Sequence, residues 1–304
     1  MPHLALLLRI RLRAAFALLL AALSPLAGNA QQGSTPLIYE VRSATNTVYL
    51  FGTIHVGTRG LYPLSAQVEE AFARSKILAL EADPTNQQAI LSAITQGMYA
   101  PPDTLALHIP PDLLEQLKAV LPKVGLPFEY ARAMKPYLLA MNLEIMEIQR
   151  LGYDPNLGMD FHFARLAHDQ GKPIVELESM EGQMQLFQSM PEDAQAAMLR
   201  IAVEGIASGE LDREMAGLLE AWAAGDAAAI HESVMHETQG LPEPIAKELN
   251  ERIYDQRNRE MVDRIAVMLK GNEPYFVAVG AGHMTGPAGL AELLRGKGFA
   301  VRRL

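Results

Sequence analysis

His55 and His283 stand near opposite ends of the chain in one and the same local setting. A short apolar run is followed by a glycine, two residues and then the imidazole, in YLFGTIHVG (49–57) and again in FVAVGAGHMTG (276–286). An imidazole just past a buried strand is placed to hold a metal or to move a proton, because in open α/β sheets ligands bind beyond the carboxyl ends of the strands. Two carboxylates fall at comparable points, Glu81 closing ILALE and Glu178 closing PIVELE. Gly52, Gly280 and Gly282 let the main chain turn sharply and come close to a bound group. Two imidazoles and a carboxylate match a three-ligand catalytic metal site with an open position for water, the neighbouring carboxylate serving as base or holding a ligand in orientation. The same groups also suit metal-free hydrolysis, with His55 as a general base oriented by a carboxylate and His283 facing a developing oxyanion.

Each residue taken singly has a plainer account. A lone histidine after a strand is more often a loop or core residue, and Gly-x-x-His alone is a weak pattern; the pairing of two such motifs gives it weight. In ERIYDQRNREMVDRIAVMLK, helical spacing puts Asn258 in a stripe with Tyr254, Met261, Ile265 and Met268, so a buried amide there needs partners. Either Asn258 ties a loop to the helix while Arg257 forms a surface ion pair, or both orient a substrate. Asp160 falls in the first turn of a helix, where the helix dipole is enough to explain an acid; contact with substrate is the lesser reading. His108, His162, His168, His231 and His236 are taken as surface residues.

The elements that must position these groups follow from periodicity. Strands are predicted at Leu37–Val41, Thr47–Phe51, Ile77–Glu81, Pro173–Glu178, Tyr275–Val279 and Phe299–Arg303. Helices are predicted at Ser65–Arg74, Asp112–Val124, Pro136–Arg150 and Met159–Gln170, with a helical insertion or lid over about residues 190–270. Strands alternating with helices imply an α/β fold with a mostly parallel or mixed central sheet, opened by an antiparallel hairpin.

Residues 1–30 read as a cleaved secretory signal: Arg9, Arg11 and Arg13, then an apolar run, then small residues Gly28 and Ala30. Its removal takes away three arginines and no acid, so the formal charge moves from −9 to −12. Such acidity excludes nucleic acid and anionic lipid as partners, since both need basic patches. With no cysteine in the chain, any metal site must be built from His, Asp and Glu. The expected product is one α/β domain over residues 31–304, exported to the periplasm or medium of a Gram-negative type cell, with no membrane attachment after cleavage.

With these segments in view, the chain resembles the TraB/PrgY/GumN family, related to the TIKI metalloproteases and more distantly to erythromycin esterase-like and ChaN-like proteins. The resemblance runs from about Leu37 to about Gly298. It is carried by YLFGTIHVG, ILALEAD, GMDFHFARLAHDQGKPIVELES, YDQRNREM and FVAVGAGHMTGPAGL. It implies an α/β fold of the EreA/ChaN type, a site at His55, Glu81, His283, Arg257 and Asn258, and, by analogy with TIKI, metal-dependent hydrolysis of peptides. A divalent metal of the Mn, Co or Zn class is the implied cofactor, and a peptide or small molecule the implied substrate. A periplasmic protein that binds haem, metal or peptide without turnover is the non-enzymatic alternative.

Overall fold

A computed structural model describes residues 36–236, 238 and 241–304. The expected signal at 1–30 lies outside the described residues. Six strands form one mixed sheet in the order β4-β3-β5-β2-β1-β6. They are β1 (Ile38–Arg42), β2 (Thr47–Thr53), β3 (Ile77–Leu80), β4 (Ile174–Glu176), β5 (Tyr275–Gly280) and β6 (Ala300–Arg303). β2, β3, β4 and β5 run parallel, whereas β1 is antiparallel to both β2 and β6. The central strands β2 and β5 are buried almost throughout, which is why TVYLFGT and YFVAVG read as near-continuous apolar runs.

The β1–β2 hairpin is anchored by polar groups at its turn. Asn46 donates to the carbonyls of Met268 and Glu273, both at 2.8 Å, and the Ser43 hydroxyl donates to the Leu269 carbonyl at 2.6 Å. On one face of the sheet Phe51, Phe72, Phe163 and Phe276 meet ring against ring, with centroids 4.7–5.8 Å apart. Trp222, the chain's single tryptophan, packs on Phe51 and donates to the Gly52 carbonyl at 2.8 Å.

The helices in chain order are α1 (Ala66–Arg74), α2 (Gln87–Gln96), α3 (Pro111–Val124), α4 (Phe128–Ala131), α5 (Pro136–Arg150), α6 (Met159–Gln170), α7 (Met180–Gln188), α8 (Glu192–Ser208), α9 (Glu210–Ala224), α10 (Ala227–His236), α11 (Glu243–Asn250), α12 (Gln256–Met268) and α13 (Leu290–Gly296). The expected insertion between β4 and β5 is present as α7–α12. It does not stand alone: α8 packs with α3 and α5, from the β3–β4 connection, around a second core that includes Leu117, Leu143, Leu199 and Val203. Each of these helices carries an apolar face that the small sheet cannot cover, so the two connections bury their surplus against each other. Among the described residues no helix is long and apolar enough to cross a membrane.

Candidate functional site

Because β2, β3, β4 and β5 are parallel, the residues that follow them all emerge at one edge of the sheet. Thr53 pairs with Gly280 and Leu80 with Ala278, so His55 and Glu81 arrive beside the start of the Ala281–Met284 turn that carries His283. The β3–β4 ladder runs on past its strands, with the Glu178 N–H donating to the Glu81 carbonyl at 2.8 Å. All four groups picked out at strand ends are therefore neighbours.

Each imidazole is held through Nδ1. His55 Nδ1 lies 2.8 Å from Asp160 Oδ2, and the other Asp160 oxygen accepts from the Thr53 hydroxyl at 2.9 Å. The start of α6 is docked on the same loop. Met159 N–H donates to the Ile54 carbonyl at 3.0 Å, and a Cβ at Gly158 would fall 2.2 Å from the His55 carbonyl oxygen, so only glycine allows the approach. On the other side, Asn258 donates through Nδ2 to the Ala288 carbonyl at 2.9 Å, which turns its Oδ1 toward His283 Nδ1 at 2.6 Å. A neutral His283 then carries its proton on Nδ1 and presents the bare Nε2, 3.7 Å from Glu81 Oε2.

Glu81 is fixed by donors on both oxygens. Oε1 accepts the Gly280 N–H at 2.6 Å and Oε2 accepts from Arg257 Nη2 at 2.5 Å. Arg257 also donates to Glu178, through Nε at 2.9 Å and Nη2 at 2.8 Å, and through Nη1 to the Ile253 carbonyl at 3.1 Å. Its Nε and Nη2 donors hold two buried carboxylates, the use to which a planar guanidinium is suited. The surface ion pair expected of Arg257 is thus a buried one, with side chains of Arg257, Glu81 and Glu178 only 10–11% exposed. A π-helical turn, Glu251–Asp255, leads into α12 and sets Tyr254 against His283, with ring centroids 5.4 Å apart.

The glycines divide. A Cβ on Gly280 would meet His55 Nε2 at 2.9 Å and Glu81 Oε1 at 3.3 Å, so the point where both groups converge is open only because residue 280 has no side chain. Gly282 gives way to the Tyr254 ring, which a Cβ would meet at 2.9 Å. Gly52 instead lies against Met284 and Leu37. It serves packing and has no contact with the polar groups. Ligand atoms of His55, Glu81 and His283 do not all lie within 4.8 Å of one another; among the described residues only Glu210, Glu214 and His236 meet that test.

The sequence pattern of the TraB/PrgY/gumN family matches residues 37–303, which takes in every residue of this site. The chain belongs to that family. Relatives from Escherichia coli (strain K12) and Shigella flexneri, each described as "Uncharacterized protein YbaP", are 24% identical over 247 residues, 81% of this chain and 87% of theirs. No solved structure gives a significant match.

Electrostatics sets the protonation of this TraB/PrgY/gumN site. The Asp160 carboxylate bonded to Nδ1 raises the His55 pKa to about 9. Burial pushes His283 down to about 4. Burial opposes ionisation of Glu81 too, but the charges of His283, Arg257 and His55 and the Gly280 N–H outweigh it and hold the pKa at about 2. The consequences for stability carry signs. Lowering pH from 6.5 toward 4 forces a proton on the unfolded His283 that the folded ring resists, and below 4.5 the same holds for Glu81, so stability falls on the acid side. His55 acts oppositely, stabilising below 6.5 and losing its contribution as pH rises through 9. Its ring is 63% exposed, so solvent screening makes that alkaline limb the shallower one. Thermal melts across pH should peak near 6.5, with Glu81→Gln removing the part of the acid limb below 4.5 and Asp160→Asn flattening the alkaline limb. Unchanged limbs in both variants would contradict these couplings.

Asp160 is the group whose part the sequence hid. The helix dipole accounts for an acid at that position, and the bond to His55 is a tertiary contact across 105 residues. A usable signal was Gly158, a helix start with no capping side chain just before an acid that does not cap its own helix. Asn258 ties the 286–289 loop to α12, the first of its two readings, and also holds His283, a contact neither reading named. Three other histidines are not plain surface residues. His108 pairs with Asp103 at 2.8 Å and stacks on Tyr99, and half-buried His162 packs on Tyr62. His231, also half-buried, fills the space beside Gly286.

Proposed function

We propose that this chain is an exported, metal-dependent hydrolase acting on peptides, with His55, His283 and Glu81 as the ion-holding groups. One observation carries the reading: both imidazoles are tied through Nδ1 to an oxygen acceptor, His283 Nε2 lies 3.7 Å from Glu81 Oε2, and His55 Nε2 and Glu81 Oε1 border the same space kept open by Gly280. Two nitrogens and a carboxylate oxygen, the histidines held by oxygen acceptors behind them, are the donor types of a catalytic divalent site, and an inward shift of the more exposed His55 ring would be needed to bring all three around one ion. Glu81, Glu178 and Asp160 outnumber the one arginine, so the site carries an excess of negative charge that suits a divalent cation.

Held by His55, Glu81 and His283, a divalent ion of the Mn, Co or Zn class would supply Lewis acidity and lower the pKa of a water toward neutrality. The chain's own residues supply the rest. Asp160 and Thr53 hold the His55 ring, Asn258 fixes the His283 tautomer, and Arg257 keeps Glu81 ionised and in place. With its pKa near 9, His55 carries a proton in the metal-free protein and must give it up from Nε2 on loading.

The test is one preparation. Protein purified without a histidine tag from the periplasm or medium, beginning near Gln31, is analysed for metal and assayed on a peptide mixture. Expected are one equivalent lost and turnover reduced to background in Glu81→Gln, with metal and turnover at this centre unaffected by Glu214→Gln, which disarms the separate Glu210–Glu214–His236 group. Turnover that survives exhaustive chelation would overturn the metal reading. It would favour the metal-free esterase-type alternative, in which Asp160 orients His55 as general base and turnover would rise with pH toward 9 as the ring gives up its proton. Stoichiometric binding of haem or peptide with no turnover would favour the non-enzymatic one.

A further inference from the structure

A cleft of about 430 Å³ opens beside the site, lined by residues of α7, of the π-helical turn and of α12. Its inner end is the site itself, since Glu178 and Arg257 belong to its lining. Further out the α12 wall continues through Glu260 and Arg264. Positions 257, 260 and 264 are spaced i, i+3 and i+7 and so share one helix face. Seven residues of α-helix rise about 10 Å, which sets Arg264 about two turns from Arg257.

The three guanidinium groups on the lining differ in what they have left to give. Arg257 is spent on Glu81, Glu178 and the Ile253 carbonyl. Arg252 donates to Glu248 at 2.5 Å and to Ser189 at 3.0 Å. Arg264 has no ion pair or hydrogen bond among the described residues, and its side chain borders the cleft. Between Arg257 and Arg264, Glu260 takes one bond from Gln256 at 3.1 Å on Oε1, leaving its second oxygen to accept. From the site outward the wall therefore offers an acceptor and then an unspent cation.

An extended peptide presents the complement, backbone N–H groups followed by a terminal carboxylate. At roughly 3.3–3.6 Å per residue, about three residues cover the distance from Arg257 to Arg264. We infer that this cleft receives the carboxyl-terminal segment of an oligopeptide, with Arg264 binding the free terminal carboxylate and Glu260 a backbone N–H on the way. The inference rests on the proposed peptide hydrolysis for the direction in which the chain is laid, and under it the fragments released are about three residues long.

Binding separates this assignment from catalysis. Calorimetry on the metal-stripped mature chain, with N-acetyl-tetraalanine and its carboxyl-terminal amide as probes, should show the free acid bound about tenfold more tightly, the scale of one charge-assisted pair. Arg264→Gln should bring the ratio close to one and Arg264→Lys should restore part of it. Equal affinity for acid and amide, no binding of either, or a preference that survives in Arg264→Gln would each overturn the assignment. Acid-selective binding with no cleavage by metal-loaded protein would instead retain the cleft and remove the hydrolase reading.

Discussion

Arg257→Ala is expected to destabilise the folded protein by about 3–5 kcal/mol, the cost of taking one partner from a buried ion pair. The substitution leaves Glu81 and Glu178, both about 10% exposed, facing each other with no cation between them. In a chain of this size that loss lowers the melting midpoint on the order of 10 °C. Arg257→Lys should fall between, since an ammonium cannot give the parallel donors with which Nε and Nη2 reach Glu178 while Nη2 also reaches Glu81. Adding Glu178→Gln to Arg257→Ala should recover part of the deficit by removing one of the stranded charges. A variant that melts with the parent protein would show that the carboxylates find another partner and that Arg257 is not what holds them.

Gly280→Ala is expected to do the reverse, sparing the fold and removing the chemistry. Residue 280 has φ −51° and ψ 138°, a backbone conformation open to any residue, so alanine brings no strain of its own. The added methyl, however, would stand 2.9 Å from His55 Nε2 and 3.3 Å from Glu81 Oε1. The His55 ring, held only through Nδ1 and more exposed than Glu81, is the group that yields. A displacement of that size at a reacting centre costs on the order of 10²-fold in turnover, while the melting curve should move by only a few degrees. Full turnover in Gly280→Ala would place the reaction elsewhere.

The contrast between these two positions marks what the sequence made legible. Gly280 and His283 follow a strand whose apolar run is unmistakable, and the repeated spacing in β2 points to the same edge of the sheet, so His55, Glu81 and His283 could be grouped before any coordinates. Asn258 showed itself as an amide within an apolar helical stripe, with Arg257 beside it on the flank. What periodicity could not give was the partner of each: that Arg257 reaches inward to two strand ends, or that Asp160 stands behind His55. These are contacts between elements far apart in the chain, and local pattern carries no record of them. The same limit explains the helical layer. Each helix was readable by itself, but the shared core of α3, α5 and α8 depends on which apolar faces the sheet leaves uncovered.

β5 lies between β3 and β2, yet it is made almost last. Until residues 275–304 are available, the sheet is divided into two separate pieces. His55 then has no opposing imidazole and Glu81 has no Gly280 amide to hold it. The groups of the centre therefore come together only when β5 enters between β2 and β3. The fifth of six strands thus acts as a keystone, closing the sheet and the centre in one step.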